Sequence, residues 1–437
     1  MINNKSAEES RIEKLLPFYC ACITYKTVYN YFDYLFPALK SVWNLLYTAV
    51  TFFGLAVFIP LSFYVLAKWN KCKLLRPAFI IPLCVIINIV AVCIETGNIS
   101  ILSRDHLIGA AKGTNDARGF YFAQINTWFG NMSVVMILSL FAKKEETVKK
   151  CIISSMLMLF LPSVLMVLMH PEFLGVRQSS VEGSNVVFGG GLWNIGVMGI
   201  GSISWLGLSF INDMSKLQKI FVIASVATFA FLGIAGLSRT LILMLVLSVC
   251  FYFLIAKKDG KLFSKILLLA LVVIAFVFIE SDMVTSIVSR FNDSTSGSHN
   301  VRFSLWQAYL SHFKEYWLIG APYGSVYNYY YDVNLVGEHF LPHSSVINFL
   351  VRFGLLCAIS YLVLIKNAFF SIKKSSGLPI NKIACIRAGF VAYVSLAFIN
   401  QTGYSEPIFY IMFGLLIAYS QIIKRAEEKT NEDRNYN

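Results

Sequence analysis

Eleven apolar runs divide this chain of 437 residues, lying at 42–67, 77–94, 120–142, 151–169, 188–211, 220–237, 240–256, 266–279, 344–365, 383–399 and 407–423. Most approach the roughly 20 residues that carry a helix across the hydrocarbon core of a bilayer. Repeated runs of this length leave few folds open. A helix satisfies its backbone polar groups internally, whereas a membrane barrel would show shorter, alternating segments. With 57% hydrophobic and 14% charged residues, the chain has too little polar surface for a water-soluble domain. The fold class expected is all-α: a polytopic membrane helical bundle forming one integral membrane domain over residues 1–437. The run 266–279 is short, a mismatch that local bilayer thinning absorbs. A twelfth segment at 15–36 is weaker, carrying Lys26, Asp33 and several tyrosines. Crossing, re-entry and a place in the headgroup zone all fit it.

The net charge of +13 does not indicate nucleic acid, because the lysines cluster between apolar runs. Connectors 68–76, 143–150, 212–219, 257–265 and 366–382, with the tail from Ile423, hold 22 Lys and Arg; the alternate set 95–119, 170–187, 238–239, 280–343 and 400–406 holds 8. The positive-inside bias then makes the first set cytoplasmic, including a tail at 424–437, and turns the second outward. Residues 280–343 become one large extracytoplasmic loop. The nine cysteines fall in or beside apolar runs, at the weak amino-terminal segment or on the lysine side, in no disulfide or zinc spacing. The amino terminus lacks the pattern of a cleavable signal.

On the outward side six of the eight basic residues are arginine: Arg104, Arg118, Arg177, Arg239, Arg290 and Arg302. Anchoring needs no guanidinium, whereas a planar fork of donors matches phosphate oxygens. His106, His170, Arg104 and Arg177 read as ordinary polar loop residues. Arg239 sits in Gly236-Leu237-Ser238-Arg239-Thr240, a break between two apolar runs with almost no loop. At membrane depth an arginine costs roughly 2.5–3.5 kcal/mol, so it either faces a polar partner or snorkels to headgroups. Arg302 and Trp306, four apart, share a helix face. Ile319 to Gly324 reads as a turn, and His343 follows Pro342 near the first turn of a helix, where an anion is favoured. Pro342 also breaks the register between His339 and His343, which argues against zinc. Tyr327, Tyr329, Tyr330 and Tyr331 suit either sugar stacking or interfacial anchoring. Glycines at 189–191, 196, 199 and 201 fit close helix packing, with a broken helix as the other reading.

Ser238-Arg239, Ser289-Arg290-Phe291, Arg302 with Trp306, Gly320 with Gly324, and His343 with Asn348 and Gly354 follow one another in an order that resembles the O-antigen ligase and polymerase superfamily, which includes the Wzy-type surface polysaccharide polymerases. The resemblance covers about Gly236 to Ile365. It departs at Ser344, where the family often has Asn after the His, and at Arg352, where an acidic residue is frequent.

The resemblance implies a metal-independent, inverting glycosyltransferase without cofactor in a bacterial cytoplasmic membrane, active on its outer face. Its donor would be an undecaprenyl-pyrophosphate-linked oligosaccharide, its surroundings membrane lipid, and a chain-length regulator protein a further partner. Arg239 and Arg302 are the expected clamp on the departing pyrophosphate, and His343 the group that takes or orients the acceptor hydroxyl proton. Glu338 and Glu280 are reserves for that role. Arg290, Trp306, Glu338 and Arg352 are the expected substrate-binding residues. No Asp-x-Asp stands in the outward loops to hold a metal. Alternatives are ligase-type transfer to a lipid or protein acceptor, and a transporter or flippase; a transporter is expected to show internal repeats, and none is evident here.

Overall fold

The computed structural model describes residues 2–96, 117–171, 192–236, 238–256, 298–321, 331–332, 338–339, 342, 344–372, 377–399 and 402–435. They form an all-α, polytopic membrane architecture. In chain order the long helices are α1 (Ile2–Leu35), α2 (Lys40–Ala67), α3 (Arg76–Thr96), α4 (Ala117–Phe141), α5 (Glu145–Met169), α6 (Leu192–Gly199) continuing through a π-turn into α7 (Trp205–Ser209), α8 (Lys216–Ala235) and α9 (Arg239–Ala256). After the loop helices α10 (Ser298–Ser311) and α11 (Phe313–Tyr316) come α12 (Ser345–Phe370), α13 (Ile380–Ile399), the short α14 (Thr402–Ser405) and α15 (Pro407–Asn435). The strand pairing described is two residues long, β1 (Tyr331–Asp332) against β2 (Glu338–His339).

Eight of the described helical segments are long and apolar enough to cross a membrane. Two more of the expected runs fall on α4 and the shorter apolar Thr240–Ala256 of α9, and the run 266–279 lies outside the described residues. Local signals set several starts. Ser215 and Gln218 cap α8 reciprocally, side chain to backbone in both directions, and Pro407 opens α15, where its missing N–H costs nothing.

Burial separates core from rim. Nearly every residue of Leu192–Ser209 is buried, while only about a third of those in the most apolar 18-residue window of Pro37–Ala67 are, and that helix turns Phe52, Phe53, Ile59 and Phe63 outward. The glycines account for the close approach at the centre. A Cβ on Gly196 would stand 2.5 Å from the Phe229 carbonyl oxygen, so α6 and α8 touch backbone to backbone, and Gly199 accepts the Phe229 ring in the same way. The π-turn Ile200–Ser204 follows directly, so close packing and an irregular turn coexist in this helix. Glycines 189–191 lie outside the described residues.

The lysine-rich connectors meet at one end. Lys382, buried at the head of α13, reaches Asp213 (2.8 Å) and Glu145 (3.2 Å), tying three connectors together beneath the Phe210 and Tyr419 rings. Asn367 donates to the Leu74 carbonyl, which adds the 68–76 connector. Buried Glu13 of α1 accepts from the Lys143 backbone N–H and the Thr147 hydroxyl at the same end. At the other end of α1 the Tyr34 ring meets His170 beyond α5 (centroids 4.9 Å apart). The weak amino-terminal segment therefore follows α5 over its whole length, with its polar face turned into the protein.

Lys382→Met should leave the fold intact but lower its stability by roughly 1–3 kcal/mol, the worth of hydrogen bonds to charged groups whose carboxylate partners stay half-hydrated. A thermal melt of the detergent-solubilised protein reads this directly; an unchanged midpoint would show that the three connectors hold without it.

Candidate active site

The end opposite Lys382 is built from helix starts and two glycines in the left-handed region. Gly236 closes α8 beneath Trp193, whose Cβ would stand 2.3 Å from any Cβ at that position. Ser238, buried, donates its N–H to Gly233 and accepts from the Leu241 N–H at 3.3 Å, capping α9. Arg239 is thereby fixed at the first helical position of α9, where the helix dipole favours an anion.

The second helix start is that of α12. Its cap is buried Ser344, whose hydroxyl accepts from Ile347 N–H. The helix is broken at Gly354 (φ +82°, ψ 177°), leaving a half-helix of Ser345 to Phe353. Gly320 (φ +87°) faces this break. A Cβ on Gly320 would stand 2.1 Å from the Arg352 carbonyl oxygen, and one on Gly354 would stand 2.3 Å from that of Leu318. Between them Ala321 N–H bonds Val351 O and Leu355 N–H bonds Trp317 O, both at 2.7 Å. The loop after α11 thus supplies the partners that a broken helix needs.

Asn88 clamps the same turn, its amide donating to the carbonyls of Ile319 (2.9 Å) and Ala321 (3.3 Å). Asn88 is about 18 Å along α3 from Arg76 at ~1.5 Å per residue, which sets the Gly320 turn at membrane depth. Irregular backbone is tolerated there only when protein buries it or a cavity receives it.

Trp306 of α10 donates its indole N–H to the Pro342 carbonyl at 2.7 Å, bringing the helix that carries Arg302 against the residue preceding His343. Beneath, Trp128 of α4 packs on Phe349 and Phe353, and Phe349 stacks on Tyr361. The Tyr361 and Tyr393 hydroxyls bond each other, and both reach the Gly403 carbonyl in α14. Asn348 Oδ1 is buried without a hydrogen-bond partner among the described residues, an acceptor left open beside the start of the half-helix.

The two helix starts border one corner. Trp205 packs on Gly389 and stacks on Tyr252, while at Gly201 the side chains of Met244 and Leu396 meet, so α9 and α13 run antiparallel and the Arg239 end of α9 lies by the last turns of α13. Leu396 and Ser345 both border Gly403. Leu396 thus lies between Met244, in the second turn of α9, and Ser345 at the start of α12.

The sequence-predicted residues divide accordingly. Arg239, Arg302 and Trp306 fall on helix starts or a loop helix at this end, although the side chains of Arg239 and Arg302 lie outside what is described. Glu338 pairs through its backbone with Asp332. Arg352 is buried, 8% exposed, two residues before the Gly354 break. His343, Arg290, Glu280 and the tyrosines at 327, 329 and 330 lie outside the described residues. No group of three or more His, Cys, Asp or Glu able to hold a metal occurs among the described residues.

Sequence reasoning missed a polar cavity of about 120 Å³ next to this corner, lined by Lys26, Asn30, Tyr31, Asn194 and Glu406. Asn194 neighbours the Trp193 that covers Gly236, and Glu406 follows α14 by one residue. Burial pushes the Glu406 carboxyl up to about 7, and the Lys26 ammonium opposes that rise. The signal available was Lys26 itself, an ammonium in an otherwise apolar segment that needed a counter-charge.

Taken together, these features define a polytopic α-helical membrane protein with a recessed polar site at one end, framed by two helix starts and a re-entrant glycine turn. The family model described as O-antigen ligase matches residues 223–362, from mid-α8 through α12, so this part of the chain is similar to that family. That interval contains both helix starts, Trp306 and both left-handed glycines. Among curated proteins none matches the chain.

Gly320→Ala and Gly354→Ala should each abolish recovery of folded protein, since the new methyl meets backbone that cannot yield and strain at such φ costs about 1–3 kcal/mol before any clash. Size-exclusion chromatography reads the outcome, and a monodisperse, wild-type-like peak for either variant would refute the docking. Lys26→Met and Glu406→Gln should each destabilise alone, and their double variant should cost less than the sum.

Proposed function

We propose that this protein is a membrane glycosyltransferase that polymerises surface polysaccharide repeat units, carrying glycan from an undecaprenyl-pyrophosphate donor to an acceptor sugar hydroxyl on the extracytoplasmic face. The observation that carries this reading is the coincidence of two independent things. The similarity to the O-antigen ligase family runs over residues 223–362, and within that interval the starts of α9 and α12 border one corner. Two helix N-termini at the same end of the bundle favour an anionic ligand there, which a departing pyrophosphate is.

In the proposed reaction the acceptor oxygen attacks the anomeric carbon, the bond from that carbon to the pyrophosphate oxygen breaks, and the configuration inverts. Arg239 and Arg302 neutralise the charge that grows on the leaving group, which stabilises the transition state more than the bound donor. Each charge-assisted contact contributes about 1.5–3 kcal/mol, so the pair is worth several orders of magnitude in rate. His343 takes the acceptor proton, and Asn348, three residues after the start of α12 and with an acceptor that has no partner among the described residues, orients the imidazole or the hydroxyl. Trp306 holds the Arg302 helix to the His343 segment through the Pro342 carbonyl. Arg290 and Glu338 serve the glycan from the large loop. Arg352, about 10 Å along α12 from Ser345 and 8% exposed, suits holding the glycine turn better than touching substrate. A chain-length regulator protein is the proposed partner. Ligase-type transfer uses the same donor half and differs only in the acceptor.

Arg239→Ala and His343→Ala should abolish glycan transfer from a lipid-linked repeat unit by the purified protein, with abundance and melting midpoint unchanged, and wild-type activity should persist in EDTA. Undiminished chain lengths in both variants would overturn the proposal, and strict metal dependence would remove the arginine clamp from it.

A further inference from the structure

The largest cavity described, about 950 Å³, lies at the lysine-rich end, between the 68–76 connector, the end of α12 and the middle of α15. Lys68, Lys71, Lys73 and Lys424 line it against one carboxylate, Glu427. The positive-inside bias alone explains lysines at this end, but not how they are partnered. Several ammonium groups at this end have carboxylates: Lys144 has Glu13, Lys149 has Glu146, Lys382 has Asp213 and Glu145, and in the cavity wall Lys424 has Glu428 at 3.5 Å. Lys68, Lys71 and Lys73 have no ion-pair partner among the described residues, and Lys68 lies over the Tyr64 ring instead.

The wall that carries them is rigid. The Arg76 guanidinium stacks on Trp69 (4.8 Å) and donates twice to the Trp69 carbonyl, while Asn367 holds the Leu74 carbonyl from α12. Leu140 gives the cavity an apolar side, and Phe63 and Leu66, exposed on α2 just before Lys68, continue apolar surface toward the bilayer. A volume of this size is in the range of a small-molecule site and far larger than one phosphate.

We infer that this cavity binds the headgroup of an anionic lipid carrying two phosphate groups, with its acyl chains leaving along the exposed face of α2. Four ammonium groups against Glu427 and the Glu428 that pairs with Lys424 (four minus two) leave a net charge of +2 that a dianionic headgroup balances and a zwitterionic one does not. The apolar side and exit set a lipid apart from a soluble diphosphate, which has no use for them. The inference is independent of glycosyl transfer, because its readout is lipid retention.

Native mass spectrometry of the full-length protein in detergent, titrated with cardiolipin, phosphatidylcholine and inorganic diphosphate, tests it. Cardiolipin should bind at least about tenfold more tightly than phosphatidylcholine, and Lys71→Gln and Lys73→Gln should each weaken it about fivefold, as expected for loss of one near-surface lysine. Lys150→Gln and Lys429→Gln, at the same end but outside the cavity, should leave it unchanged, with melting midpoints equal throughout. Equal losses from both pairs would show diffuse charge and overturn the site. No preference for cardiolipin, or its displacement by equimolar inorganic diphosphate, would overturn the lipid.

Discussion

A peptide group inside a bilayer has no water to turn to, and the site end of this protein is organised by that constraint. α12 breaks at Gly354 and the loop after α11 turns at Gly320, each leaving backbone groups without helical partners. They satisfy one another, Ala321 to Val351 and Leu355 to Trp317, at a separation that only two glycines permit. Asn88 completes the arrangement from α3. Because the break is held so firmly, the half-helix ahead of it has a fixed direction, and its Ser344 start is aimed instead of frayed.

The two ends of the bundle solve opposite problems. At the lysine end, Lys382 and Glu13 are buried junctions that share charge among connectors, and Lys68, Lys71 and Lys73 face the cavity beside them. At the other end, donors and acceptors are gathered, and Asn348 Oδ1 has no hydrogen-bond partner among the described residues. A bundle held by its paired end tolerates unspent polar groups at the other.

Much of this was legible in the sequence. The runs of apolar residues gave the helices, and the lysine asymmetry correctly grouped connectors that meet in space through Lys382, Asn367 and Glu13. The tight turn at Ser238-Arg239 and the importance of Gly320 and Gly354 were also visible as motif, though not their mutual docking: two glycines 34 positions apart carry no sign that they touch. Asn88 was hidden because one amide in an apolar run disturbs no periodicity. Glu406 was hidden because an acid at the mouth of a helix looks solvated until α1 is placed beside it. The weak segment 15–36 was hard to read for the same reason: its polar residues face protein, and hydropathy averages all faces together.

That placement of α1 bears on how the protein is made. Lys26 and Asp33 give α1 a poor claim on the lipid phase; Asp33 finds Lys40 just after α1 ends, whereas Lys26, besides the Tyr47 ring of α2, faces a cavity walled by Asn194 and Glu406, which are synthesised much later. The surroundings of Lys26 are therefore complete only once the carboxyl-terminal third of the chain has been made.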